Sequence, residues 1–259
     1  TSLAGVAFTK DNVRSAVTND GLEFWTAGNG DKTANKGVFY TAPLGAAASS
    51  ATNKLADSKS TRICQIAFGN LYCTGANTPL NNVFQIGTGL PTNSMANPMI
   101  FATTTLPGMP ITDPAMPAVP PDPFGFAFID TNNDQSADLL YVADDRRVID
   151  GGGVQKWVLA NGTWSLTGTT FSDAVNGSRG VAAYLSGSTV VIIASTAMDP
   201  PLPTGSPAIS PVPPNAIIRF VDDQMTAPSM ISPTTLITAG SDGMGAASNA
   251  FRGIALAPK

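Results

Sequence analysis

Short runs in which apolar residues alternate with small or polar ones recur along the whole chain, each bounded by Gly, Asn, Asp, Ser or Pro. A period of two sends one set of side chains to a buried face and the other toward solvent, which marks a strand. The pattern predicts strands at 13–17, 21–27, 37–40, 63–68, 71–74 and 83–86. It continues at 125–129, 138–143, 154–159, 163–166, 180–185, 189–194, 216–221, 234–238 and 252–256. Many short strands at this spacing indicate an all-β sandwich, barrel or propeller.

The links between runs sharpen this. Asn19-Asp20-Gly21, Gly69-Asn70, Asn161-Gly162 and Ser186-Gly187 each separate two apolar runs and favour positive φ, which predicts tight hairpins. Two Pro-rich stretches, near 106–123 and 200–214, exclude central-strand pairing and read as surface insertions in a single domain spanning 1–259. Four of the runs open alike: Arg14-Ser15-Ala16-Val17, Arg62-Ile63-Cys64-Gln65-Ile66, Arg179-Gly180-Val181-Ala182 and Arg252-Gly253-Ile254-Ala255-Leu256. Phe124-Gly125-Phe126-Ala127-Phe128 falls inside the longest gap between them. A recurring unit of this size fits a β-propeller of four-stranded blades with long loops, a β-sandwich being the alternative.

Composition removes several function classes. No histidine is present, which takes away His-based acid–base catalysis, His-dependent nucleophile pairs and His-ligated metals. Only 12% of residues are charged, Glu23 is the one glutamate, and the net charge of −4 comes with no basic stripe for phosphates. Nucleic acid is therefore not an expected partner. Residues 63–112 carry no charge, but Gly, Pro, Asn and Thr interrupt them well before the roughly 18 apolar residues of a membrane span. The chain opens Thr1-Ser2-Leu3 without a starting methionine, as a processed or internally started polypeptide does, so the expectation is that its true N-terminus lies upstream.

Several segments together carry a resemblance over nearly the whole chain. They are Arg14-Ser15-Ala16-Val17 with Asp20-Gly21, Phe24-Trp25-Thr26-Ala27-Gly28, Gly69-Asn70-Leu71-Tyr72, Gly87-Thr88-Gly89-Leu90-Pro91, Ala137-Asp138-Leu139-Leu140-Tyr141-Val142-Ala143-Asp144, Gly153-Val154-Gln155-Lys156-Trp157, Arg179-Gly180 and Phe251-Arg252-Gly253-Ile254-Ala255-Leu256-Ala257-Pro258. The chain resembles secreted bacterial and algal β-propeller-like surface proteins. That resemblance implies an extracellular propeller with further N-terminal blades, and brings no established activity.

Six features carry candidate chemistry. The loop Asp130-Thr131-Asn132-Asn133-Asp134-Gln135-Ser136-Ala137-Asp138 places oxygen-bearing side chains at alternate positions, as loops that gather around Ca²⁺ do. It resembles the calcium loops of integrin-type propellers, with Asp130, Asn132, Asp134 and Asp138 in the ligand positions and Gln135 where glycine is expected. The alternative is an Asx-rich turn without metal. Asp144-Asp145 and Asp222-Asp223 are the only acid pairs that suggest glycoside hydrolysis, but neighbours on a strand face opposite ways, so both read as solvated turn residues.

Cys64 and Cys73 can pair in an oxidising compartment. A turn at Gly69-Asn70 sets Cys73 opposite Ile66 and leaves Cys64 one step diagonal, so pairing needs a bulge, and two buried thiols are the alternative. The recurring arginines read as structural links between blades rather than an anion pocket. Trp25, Trp157 and Trp164 read as packing residues, with sugar stacking the alternative. Asn161 and Asn176 begin N-x-[ST] sequons, the first also explained as a hairpin turn, and the Ser/Pro stretch around Ser206 and Ser210 resembles O-glycosylated wall-protein segments.

The expected function is a non-enzymatic extracellular structural or interaction protein of a cell surface, wall, sheath or filament, self-associating or binding other surface proteins or glycans. Low charge and Pro-rich loops favour permanent assembly. The alternative is a carbohydrate-binding module, with Ca²⁺ its one conceivable cofactor. A lyase or hydrolase would have to rest on Tyr141 and the acids near it.

Overall fold

A computed structural model describes residues 7–41, 52–57, 60–77, 80–92, 101–112, 119–170, 176–197, 215–239, 251 and 254–255. They form an all-β chain of sixteen strands with three single-turn 3-10 segments. The strands are β1 (Val13–Val17), β2 (Phe24–Gly28), β3 (Gly37–Thr41), β4 (Thr52–Ala56), β5 (Thr61–Ala67), β6 (Asn70–Gly75), β7 (Asn82–Ile86), β8 (Thr103–Thr105), β9 (Pro123–Ile129), β10 (Leu139–Asp144), β11 (Gly153–Ala160), β12 (Thr163–Thr170), β13 (Ser178–Ser186), β14 (Thr189–Thr196), β15 (Ala216–Asp222) and β16 (Thr234–Thr238). Each run of four makes one antiparallel sheet in which every strand pairs with its neighbours in sequence, giving sheets one to four.

The chain divides into two compact units, Thr1–Leu106 and Pro107–Lys259, where the sequence suggested one domain. The division falls at the start of the first Pro-rich stretch; the second, 200–214, lies outside the described residues. In the first unit, Trp25, Ala27 and Val38 of sheet one pack against Cys64, Leu71, Cys73, Phe84 and Ile86 of sheet two. In the second, Ala127, Leu139, Tyr141 and Val154 of sheet three pack against Val181, Val190, Ile192, Ile218 and Phe220 of sheet four.

The repeated motif has a structural meaning. The pairing register of every first strand slips at its start: between Val13 and Ser15, Thr61 and Cys64, Ser178 and Gly180, and opposite Val142 and Asp144 in β9. The slips coincide with Arg14, Arg62, Arg179 and, in β9, Phe124. A bulge there re-aims a side chain toward a neighbouring sheet. Arg14 Nη1 donates to Ser60 Oγ at 3.0 Å just before β5, and Ser15 Oγ accepts the Cys64 N–H at 2.9 Å. Arg179 pairs with Asp145 and lies 4.6 Å over the Phe124 ring. Gly125 is required where first strands meet, since a Cβ there would come within 2.8 Å of the Val181 nitrogen.

The link at Asn19-Asp20-Gly21 is not a tight hairpin but a longer loop, 18–23, held by the Thr18 and Asp20 side chains, and two other hairpins differ from the sequence expectation by one residue. The β5–β6 turn is Phe68-Gly69, both with positive φ, and Asn70 is the first residue of β6. The Asn70 side chain is engaged elsewhere: its amide donates to Phe68 O, and its oxygen accepts from Gln85 Nε2 and Gly89 N. This register sets Cys64 directly opposite Cys73, and the two form a disulfide with Cα atoms 4.1 Å apart. No bulge between the cysteines and the turn is needed. The β13–β14 turn is likewise Gly187-Ser188, whereas Asn161-Gly162 closes β11–β12 with both φ positive, as expected.

β4 and β8 were not foreseen, and 252–256 falls mostly outside the described residues; Ile254 and Ala255, which are described, are not in a strand. Replacing Cys64 and Cys73 together by alanine is expected to cost about 2–4 kcal/mol. Denaturant unfolding should show this difference for the oxidised protein and abolish it under strong reductant.

Candidate functional site

The acidic loop joins β9 to β10, and its side chains are held by the loop itself. Asp130 Oδ1 accepts the N–H groups of Asn132, Asn133 and Asp134, and Oδ2 that of Gln135 at 2.9 Å. Asp134 Oδ1 accepts from the Ser136 N–H and hydroxyl, while Oδ2 takes the Asn132 amide at 3.1 Å. Hydrogen bonds from Ser136 hold the Asp134 carboxyl below the usual range. Asp138 Oδ2 accepts both donors of Thr131. Gln135 has φ +70°, the conformation that the glycine of the calcium-loop pattern supplies. Among the described residues, no group of three or more acidic or Cys side chains is gathered to hold one ion. In this arrangement the loop forms an Asx-rich turn whose acids accept from the loop's own donors.

Three of the four paired acids, Asp144, Asp145 and Asp222, are buried rather than solvated turn residues, which corrects the sequence reading, while Asp223 is the turn residue that reading expected. Asp144, Asp145 and Arg146 are all at most 2% exposed. Asp144 Oδ1 accepts the Arg146 N–H and its Nε, at 3.0 and 2.9 Å, and Oδ2 accepts Asp122 N and Gln155 Nε2. Burial pushes the Asp144 carboxyl up against the pull of the Arg146 guanidinium. Arg147 pairs with buried Asp150 at 2.6 Å, and Arg146 Nη1 reaches Val119 O. The chain folds tightly over this knot, leaving no room for a Cβ at Gly152 or Gly177 against the carbonyl of Arg146. The carboxylates are committed to holding the end of sheet three.

Asp222 and Asp223 separate by the alternation of β15. Asp222 turns inward, where its Oδ2 lies 2.6 Å from Tyr141 Oη and 2.7 Å from Lys156 Nζ, both on sheet three. All three residues are buried. Burial, reinforced by the bond to Asp222, pushes the Tyr141 phenol far above its usual range, so Tyr141 stays a protonated donor rather than an acid–base group. Asp223 turns outward and caps the next turn, accepting the N–H groups of Met225 and Thr226 and the Thr226 hydroxyl. Those bonds, the backbone ones foremost, lower its carboxyl. Sequence reasoning missed this inter-sheet cluster because nothing in the spacing of Tyr141, Lys156 and Asp222 brings them together before the two sheets stack.

The remaining candidates are placed as follows. Trp25, Trp157 and Trp164 are buried, with Trp25 Nε1 donating to Pro91 O and Trp157 Nε1 to Gln155 Oε1, so none offers an exposed ring for sugar stacking. Asn161 is exposed at its hairpin tip, whereas Asn176 is buried.

What stays open is the outward face of sheet four. A groove of about 380 Å³ there is lined by Arg219, Val221, Asp223, Thr226, Ile231, Ser232 and Thr234. Beside it, β16 is the outermost strand of sheet four among the described residues, and every residue of it is exposed. No family model, curated protein or solved structure matches the chain.

The buried polar groups lead to two predictions. Asp222→Ala, which strands the Lys156 ammonium, is expected to lower stability by about 3–5 kcal/mol, while the double change Lys156→Met with Asp222→Leu costs far less. Urea unfolding of the two variants separates these outcomes. The second concerns alkali. Burial and then the 2.5 Å bond to Glu23 push the Tyr40 phenol up to about 12 from 10.0, and Tyr141 is raised with it. A raised phenol stabilises the fold fully below its unfolded value and loses that contribution as pH rises through its folded value. Stability should therefore fall from pH 10 toward about 12, and Tyr40→Phe should flatten part of that fall; unfolding midpoints and tyrosinate absorbance across this range provide the check.

Proposed function

We propose that the protein is an extracellular structural or interaction protein, whose four meanders are blades of a β-propeller and which works by associating with itself or with other surface components. The blade reading is supported by the identical strand order of the four sheets, by the bulge that opens each first strand, and by β1 lying against β5 and β9 against β13. An extracellular setting is supported by the Cys64–Cys73 disulfide.

The observation that carries the functional reading is the edge strand β16. Its sequence, Thr234-Thr235-Leu236-Ile237-Thr238, has high β propensity and no charge or proline, and Leu236 and Ile237 are each about half exposed. Proteins that remain monomeric blunt such edges with lysine, proline or a covering segment. Met225 and Met230, also exposed, extend the apolar surface from the adjoining loop. A surface with little charge adds little Coulombic repulsion to association.

The test is negative-stain electron microscopy and sedimentation velocity on the purified protein, together with recovery of bound components from the surface of its source cells. Oligomers, filaments or a stoichiometric surface complex are expected, with Leu236→Lys reducing the assembled fraction about tenfold. A dispersed monomer that recovers no surface component overturns the reading.

A further inference from the structure

Counted from the opening bulge, the first three strands of sheets three and four keep the same pairing, so their residues can be matched one to one. Tyr141 faces Ala127 on one side and Lys156 on the other; Ile193 faces Ala182 and Arg219 in the same way. Arg219 therefore occupies the Lys156 position, with Ile217 and Val221 matching Val154 and Val158. On sheet three this face is covered by sheet four, and Lys156 crosses the seam to Asp222. On sheet four the equivalent face is left partly open, with Tyr184 42% and Val221 38% exposed. Arg219 lines its groove, and among the described residues no carboxylate pairs with it. A cation thus stands where the fold elsewhere sends one across to a carboxylate of the next sheet.

The groove supplies its own complement. Arg219, Val221 and Asp223 alternate along one side of the β15 chain and line the same groove, with Val221 midway. Arg219 and Asp223 are about 13 Å apart along the strand at its usual rise. A two-fold axis through Val221 brings Arg219 of each copy against Asp223 of the other, and the two apolar faces meet around it. Such an isologous contact needs a self-complementary patch, which this face has. The same strand end supplies the carboxylate in both seams, Asp222 inside the unit and Asp223 on the outward face. Asp223 keeps its charge for this role, since its turn bonds favour the ionised form.

We infer that the outward face of sheet four is a dimer interface, in which a second copy of this chain docks face to face and Arg219 pairs with Asp223 of the other copy. This rests on the self-association reading above and names the face responsible.

The experiment is sedimentation velocity on the full chain. The wild type is expected to be a dimer at about 50 µM, and Arg219→Glu and Asp223→Arg are each expected to be monomeric, because each sets like charges against one another. An equimolar mixture of the two variants should restore the dimer, since the introduced glutamate then meets the introduced arginine while the native Asp223 of one copy meets the native Arg219 of the other. Near-UV circular dichroism establishes that both variants fold, and Val221→Arg, which places a charge on the axis without touching the turn held by Asp223, should also give monomer. A wild-type monomer, undiminished association of Arg219→Glu, or a mixture that stays monomeric overturns the inference. Association that survives these changes but is lost with Leu236→Lys would leave the general reading standing and assign assembly to the β16 edge alone. A wild-type monomer that still captures a surface component would do the same for partner binding.

Discussion

Each four-stranded meander carries apolar side chains on both faces, and the organisation of each unit depends on how those faces are covered. A sheet with one apolar face can lie on a core and expose the other, but a sheet apolar on both sides needs both faces covered. Sheet three shows this: Tyr141, Leu139 and Val154 point to sheet four, while Phe126, Leu140, Val142 and Trp157 on the opposite face are buried as well. The stack is propagated through the first strands, where glycine at Gly125 lets backbones approach and bulge residues reach into the neighbouring sheet.

Polar groups inside these stacks fix the register that apolar packing alone leaves loose. Val, Ile and Ala faces can slide over one another at small cost, whereas a buried Lys156–Asp222 pair with the Tyr141 hydroxyl attached fits one alignment of sheets three and four. Desolvating such a pair offsets much of its Coulombic gain, so its contribution is alignment more than net stability. At the end of sheet three the Asp144–Arg146 and Arg147–Asp150 pairs do the same for the loop that leads into β11. In the first unit the disulfide locks the β5–β6 register within sheet two, and Ser15 Oγ, accepting the Cys64 N–H, ties that strand to sheet one.

How far the sequence showed this depended on where each side chain sits. Strands packed against a core on one face or both, such as β9, β10 and β14, announce themselves through alternation or through an unbroken apolar run. The outer strands β4 and β8 do not: Thr103-Thr104-Thr105 has no alternation, because an edge strand meets little that demands an apolar partner. Three turns were legible to within one residue, but Asn19-Asp20-Gly21 lies in a longer link between Val17 and Phe24. Gly69 signalled the β5–β6 hairpin, but whether Asn70 or Phe68 shared the turn was decided by Gln85 and Gly89, which are distant in sequence and hold the Asn70 side chain. That single residue determines whether Cys64 faces Cys73. The arginine repeat was legible as structure, while Asp144-Asp145-Arg146-Arg147 read as a solvated turn because a run of charges carries no mark of burial until its partners, among them Gln155 and Arg179, arrive from other strands.

The same reasoning makes the outward face of sheet four informative. A side chain that repeats a structural role at an equivalent register position keeps that role when its surroundings are supplied. Lys156 shows what a cation at this position does when a neighbouring sheet is present: it crosses the seam to a carboxylate at the end of a third strand. Arg219 has the same position and a longer, planar head suited to bidentate contact with a carboxylate. A fully solvated arginine would do as well on any polar face, but this one stands between Ile217 and Val221, in a row whose sheet-three counterparts are Val154 and Val158 around Lys156. An apolar row with a cation at its centre is poorly matched to water alone and well matched to another sheet that brings an acid, which connects an uncharged, Thr-rich surface to assembly by stacking rather than by long-range attraction.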